Sequence, residues 1–129
     1  MTLLSPLTLL ILCFSMLKMK AKKEIKDIED ILTQIKKILK GVYGESLKDI
    51  ILYGSYVSDT ANEDSDIDIA VVLKGKVNKT EEIDRIYELL YDLMLETGEL
   101  ISVYPVSEEE IDNTVWLLYK HIRTVGVKI

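Results

Sequence analysis

The residues of this chain best suited to chemistry stand between positions 52 and 73, "LYGSYVSDTANEDSDIDIAVVL". Asp66 and Asp68 open an apolar, β-branched run that reads as a buried strand. Side chains two apart on a strand share a face, with Cα atoms roughly 6.5–7 Å apart. One buried, unpaired carboxylate is costly, and two side by side cost more. A shared divalent cation removes that cost. Two such cations about 4 Å apart can clamp the attacking and leaving oxygens of an in-line phosphoryl or nucleotidyl transfer. Mg²⁺ suits a site built mainly of Asp, because it completes its shell with water and substrate phosphates. Gly54 and Ser55 supply the complementary half. Glycine lets backbone approach a phosphate closely, and the serine hydroxyl and amide can donate to its oxygens. A short helix starting at Ser55 would add the partial positive charge of its free amides. An anion cradle then faces a cation cradle.

Periodicity supplies the elements that must position these groups. From Lys22 to Tyr43, Ile25, Ile28, Ile31, Leu32, Ile35, Ile38, Leu39 and Val42 recur every three or four residues, which predicts an amphipathic helix ended by Gly44. "LKDIILYG" predicts a buried strand stopping at Gly54, and "DIDIAVVL" a second strand. Asn78, with Glu81 three residues on, predicts the cap of a helix whose stripe runs from Ile83 to Met94 and closes at Gly98. "ELISVYPV" predicts a third strand. "SEEE" predicts a capping box, Ser107 with Glu110, opening one helix through Val115, Trp116, Leu118, Ile122 and Val125 to Gly126. "VKI" can add a last extended piece. The expected fold class is α/β (α+β), a small mixed sheet flanked by helices.

Gly-Ser, ten residues, then Asp-Ile-Asp resembles the GSx10DxD signature of the DNA polymerase beta-like nucleotidyltransferases, in particular their minimal branch, often paired with HEPN-domain toxins. The resemblance covers residues 22–129. It implies the polymerase beta-like fold, Gly54 and Ser55 holding the triphosphate, and Asp66 and Asp68 binding Mg²⁺. It also implies attack of an acceptor hydroxyl on the α-phosphate of a nucleoside triphosphate. In the HEPN-paired branch the acceptor is a tyrosine of the helical toxin and the transferred group is AMP from ATP, so the chain would act as the antitoxin. This sequence departs from the pattern twice. Ser58 and Asp59 stand where the family often carries a basic residue and a glycine. The position of the third carboxylate, which in the family ligates metal and can take the acceptor's proton, falls on Ser102, leaving Glu99, the only acid of that segment, as a possible further metal ligand. A nucleotidyltransferase fold that neutralises its partner by binding alone is therefore the alternative. Transfer to a small molecule is a weaker one, since little chain remains for an acceptor domain.

Composition bounds the rest. The 129 residues suit one domain, and 48% apolar content supports a core. A single cysteine, Cys13, and a single histidine argue against disulfides and structural zinc and fit a reducing cytosol. The formal charge of −6 is uneven. Residues 1–43 hold eight lysines and four acids, and residues 44–129 hold eight basic residues and eighteen acids. So acidic a body argues against direct gripping of nucleic acid. Residues 1–21 read as an apolar extension, too short and too interrupted by Pro6 for a usual membrane span. A start placed too far upstream (Met16 and Met19 follow), a membrane anchor and a helix packed on the body all stay open there. Residues 22–129 form the domain. "KMKAKK" reads as a solvated run, Asp64 and Ser65 as turn formers, and His121 as a helix-surface residue. Trp116, Tyr87 and Tyr91 read as packing or partner-facing groups, and Tyr56 as structural or nucleotide-facing.

Overall fold

The computed structural model describes residues 5–7, 20–113 and 115–129. The apolar run from residue 8 onward, with Cys13, Met16 and Met19, lies outside the described residues, and so do its three readings. The described chain enters at Lys20 and passes a 3-10 turn, Ile25–Ile28, into helix α1, Glu29–Tyr43. Strand β1, Leu47–Tyr53, follows, then a 3-10 turn at Gly54–Tyr56 and strand β2, Ile67–Leu73. Helix α2, Lys79–Thr97, leads to strand β3, Ile101–Ser107. Helices α3, Glu108–Ile111, and α4, Leu117–Val125, precede the two-residue strand β4, Val127–Lys128.

The four strands form one mixed sheet in the order β3-β2-β1-β4. β1 is antiparallel to β2 and β4, whereas β2 and β3 run parallel, joined by α2 as the crossover that parallel pairing requires. The fold class expected from the sequence is the one observed. Alternation along β2 divides the molecule. Ile67, Ile69, Val71 and Leu73 enter a core with Ile35 and Leu39 of α1 and Ile86 and Leu90 of α2. Ala70 and Val72 face the other way, against Ile111, Tyr119 and Ile122 of α3 and α4. Fully burying each such aliphatic side chain is worth about 1.5–3 kcal/mol, so the sheet faces cannot exchange roles.

Two boundaries differ from expectation. The first helix does not begin at Lys22, because Glu24 and Asp27 form a capping box that starts the helical chain at Ile25. Asp27 accepts the Glu24 amide at 2.8 Å. Lys22 instead bridges to Asn62. The last helix is two: Ser107 caps α3 by accepting the Glu110 amide at 3.1 Å, but the Asn113 side chain takes the Val115 N–H at 3.0 Å and turns the chain before α4. The cap at Asn78 forms as expected, accepting from the Glu81 amide at 3.3 Å.

Candidate active site

The strand register assembles one row across the face of the sheet opposite α1 and α2. Tyr53 of β1 pairs with Asp68 of β2, and Asp68 with Ser102 of β3. The next row on that face is Ile51, Ala70 and Tyr104. Asp66 lies one residue ahead of β2, exposed, while Asp68 is half-buried. Among the described residues neither carboxylate has a hydrogen-bond or ion-pair partner. Burial, and then the neighbouring charge of Asp66, push the Asp68 carboxyl above its ordinary range. Tyr53, half-buried beside it, has its hydroxyl pushed up to about 12, first by burial and then by the Asp68 charge.

Gly54 closes on this pair. Its φ of +77° is the left-handed conformation that a side chain disfavours, and a Cβ there would sit 2.1 Å from Asp68 Oδ2. Glycine is required both by the turn and by the carboxylate it touches. The turn then wraps on itself: Val57 and Ser58 amides donate to Gly54 O at 3.1 and 3.0 Å, and the Thr60 amide to Ser55 O at 3.0 Å. Ser55 is half-buried at the head of this turn, and its hydroxyl has no partner among the described residues. Asp59, where the family pattern has glycine, takes φ +62° and pairs with Lys22 at 3.1 Å.

Two oxygen-donor carboxylates on one face, one of them half-buried and without a partner, fit Mg²⁺ completed by water and phosphate oxygens. Asp66 and Asp68 are the residues that could hold it, and Gly54 and Ser55 stand where a phosphate could approach. Ser102 occupies the row position beside Asp68. Glu99 pairs with Lys23 and keeps only 15% of its side chain exposed. Among the described residues no cluster of three or more His, Cys, Asp or Glu is gathered around a common point.

The remaining candidates separate into structural roles. Tyr56, in the 3-10 turn after β1, is buried at 3% exposure. Ser65 accepts the Asn62 amide at 2.9 Å and Asp64 donates its amide to Asn62 Oδ1 at 2.8 Å, so both shape the entry to β2. The Tyr87 hydroxyl accepts the Val103 amide at 3.0 Å, whereas Tyr91 and Trp116 are exposed. His121 is exposed on α4.

Two features were not legible from local pattern. One is a polar tie further along the same face: Lys79 Nζ donates to Tyr119 Oη at 2.8 Å and Tyr104 Oη at 3.3 Å, and pairs with Glu110 at 3.0 Å. Burial opposes the lysine's charge, yet its hydrogen bonds to Tyr119, Glu110 and Tyr104 leave its pKa raised. The tie fastens α2 to β3, α3 and α4. Lys79→Met is expected to lower stability by about 1–2 kcal/mol in denaturant unfolding, since Glu110 loses its cation and the two tyrosine hydroxyls lose one of their donors. An unchanged midpoint would show the tie to be dispensable. The other feature is the described part of the lysine run: Lys20, Ala21 and Lys22 are exposed, as expected, and also reach the loop between Gly-Ser and Asp-Ile-Asp, while Lys18 and Met19 lie outside the described residues. The excess of lysine in the first third and of acid after it was the only sequence signal for that pairing.

Comparison with known proteins gives these features a setting. Residues 28–123 match the family model described as the nucleotidyltransferase domain. A candidate protein adenylyltransferase of Methanocaldococcus jannaschii is 34% identical over 89 residues, 68% of this chain and 83% of its own. A candidate nucleotidyltransferase from Sulfolobus solfataricus shares the fold, with a TM-score of 0.55 over 81% of this chain and 83% of its own at 19% identity. A chain of the toxin–antitoxin complex MntA–HpeT superposes with a TM-score of 0.51 at 27% identity, over 75% of this chain and 69% of its own.

Proposed function

Because this chain belongs to the nucleotidyltransferase domain family, we propose that it is a Mg²⁺-dependent protein adenylyltransferase that moves AMP from ATP to a hydroxyl of a partner protein. The observation that carries this reading is the partnerless Asp66–Asp68 pair, with Asp68 packed against Gly54 at the head of the Gly-Ser turn. The name of the 34%-identical relative supports protein as the acceptor. The toxin–antitoxin neighbour supports a toxin as that protein, and the GSx10DxD resemblance supports a helical HEPN-domain toxin. No helix of the described residues is long and apolar enough to cross a membrane, and the proposed site of action is the cytoplasm.

In this mechanism Asp66 and Asp68 would hold the cation, which would supply positive charge to offset that of the phosphates. Ser55 donates to a phosphate oxygen and Gly54 keeps the backbone out of the way. The acceptor oxygen forms a bond to the α-phosphorus as the α–β bond breaks, and pyrophosphate leaves. Ser102 cannot take the acceptor's proton as a carboxylate would, so that proton passes to solvent. The same serine favours a second reading, in which the chain neutralises its toxin by complex formation and turns over poorly.

Incubation with the gene-neighbour protein and ATP labelled at the α- or γ-phosphate separates the two. Transfer predicts a protein band labelled from the α position only and lost with EDTA. A complex that co-purifies without label, and without need of Mg²⁺, would overturn transfer in favour of binding.

A further inference from the structure

Residues 54–73 contain five acids, Asp59, Glu63, Asp64, Asp66 and Asp68, and neither lysine nor arginine. A triphosphate approaching Ser55 would enter a field of its own sign. The compensating charge comes from a distant part of the sequence. Lys20 pairs with Asp64, the Ala21 amide donates to Glu63 at 2.9 Å, and Lys22 pairs with Asp59 at 3.1 Å. Lys23 pairs with Glu99 just beyond α2. Backbone contacts pin the segment in place: Lys22 bridges to Asn62, and the Lys23 amide donates to Ala61 O at 3.0 Å. Each acid of the loop other than Asp66 and Asp68 thus has a donor from residues 20–23. The division is complete: the strap serves the acids that a cation would not use.

We propose that residues 20–23 are an electrostatic positioning element of the nucleotide site, in which Lys20 and Lys22 screen Asp64 and Asp59 and leave Asp66 and Asp68 as the sole seat for the cation. The anion half of this proposal rests on the nucleotidyl-transfer reading; the cation half stands without it. Positive charge beside the site repels a free cation and attracts a phosphate, so its removal must shift the two ligands in opposite directions. A merely structural strap would, when damaged, weaken both.

The test compares the full chain with its Lys20→Met/Lys22→Met variant. Mn²⁺ binding is read from the electron paramagnetic resonance of the free ion, and nucleotide binding from a fluorescent ATP analogue with Mg²⁺. In the variant, the Mn²⁺ dissociation constant is expected to fall about twofold to threefold and that of the nucleotide to rise about fivefold, both differences shrinking at about 0.5 M salt. Adding Asp59→Asn/Asp64→Asn to the variant restores both constants. Unchanged constants, or weakening of both ligands, would overturn the strap's electrostatic role. If the unaltered chain binds Mn²⁺ but no nucleotide, the transfer reading fails, and the Mn²⁺ comparison by itself decides the proposal.

Discussion

Asp68→Asn is expected to abolish transfer of α-label while making the metal-free protein more stable. The loss should reach about 100- to 1,000-fold, the scale of removing a charge-stabilising group from an active site, and Asp66→Asn should act likewise. The gain in stability follows from burial and the Asp66 charge, which hold the Asp68 carboxyl above its ordinary range in the folded chain. A carboxyl raised in this way contributes most to stability in acid, below its unfolded value. That contribution is lost as pH rises through the folded value, so at neutral pH the ionised group opposes folding. Asparagine removes the opposition. The thermal midpoint of metal-free Asp68→Asn is therefore expected to rise by about 2–4 °C at neutral pH, with a flatter dependence on pH between the carboxyl's unfolded and folded values. Mg²⁺ should raise the midpoint of the unaltered chain and leave the variant's unmoved. Retained transfer in both Asp66→Asn and Asp68→Asn would remove the pair from the chemistry. A lower midpoint for metal-free Asp68→Asn would mean that the carboxylate is structural.

The second large effect is expected at Gly54, where two costs coincide. Alanine at φ +77° carries about 1–2 kcal/mol of backbone strain. Its Cβ would also stand 2.1 Å from Asp68 Oδ2, so the carboxylate must move. Gly54→Ala is thus predicted to lower the thermal midpoint and to reduce transfer about 100-fold, by displacing a group that the reaction needs in place. A double-variant cycle separates the two costs. In an Asp68→Ala background the contact with the carboxylate is gone and only the 3.2 Å approach to Cβ remains, so the stability penalty of Gly54→Ala should shrink toward the backbone part. An undiminished penalty there would show that the glycine serves the turn only. Gly54→Ala with ordinary transfer would show that the contact with Asp68 has no part in catalysis.

Much of this molecule could be read from local pattern because its determinants are local. Apolar period and capping residues placed β1, β2, α2 and β3, and the cap at Asn78 formed with its expected partner. The misread helix boundaries have local causes that compete with periodicity. The Glu24–Asp27 box starts the first helix late, and the Asn113 side chain interrupts the last. Apolar spacing registers neither, because a short polar side chain offers the backbone a partner without changing the stripe.

The sequence by itself determined two aspartates two residues apart at the head of a strand, the Gly-Ser turn ten residues before them, and the alternation that buries Ile67 and Ile69. These follow from strand geometry and turn chemistry within a single stretch of chain. Only the tertiary structure decided what meets that stretch. Strand register brought Tyr53 and Ser102 to either side of Asp68, and the approach of β1 to β2 set Gly54 against its carboxylate. Packing of the chain before α1 laid Lys20, Lys22 and Lys23 against acids 37 to 76 residues away. Ion pairs across such separations leave no period or spacing to read, since opposite charges attract through space whatever the length of chain between them.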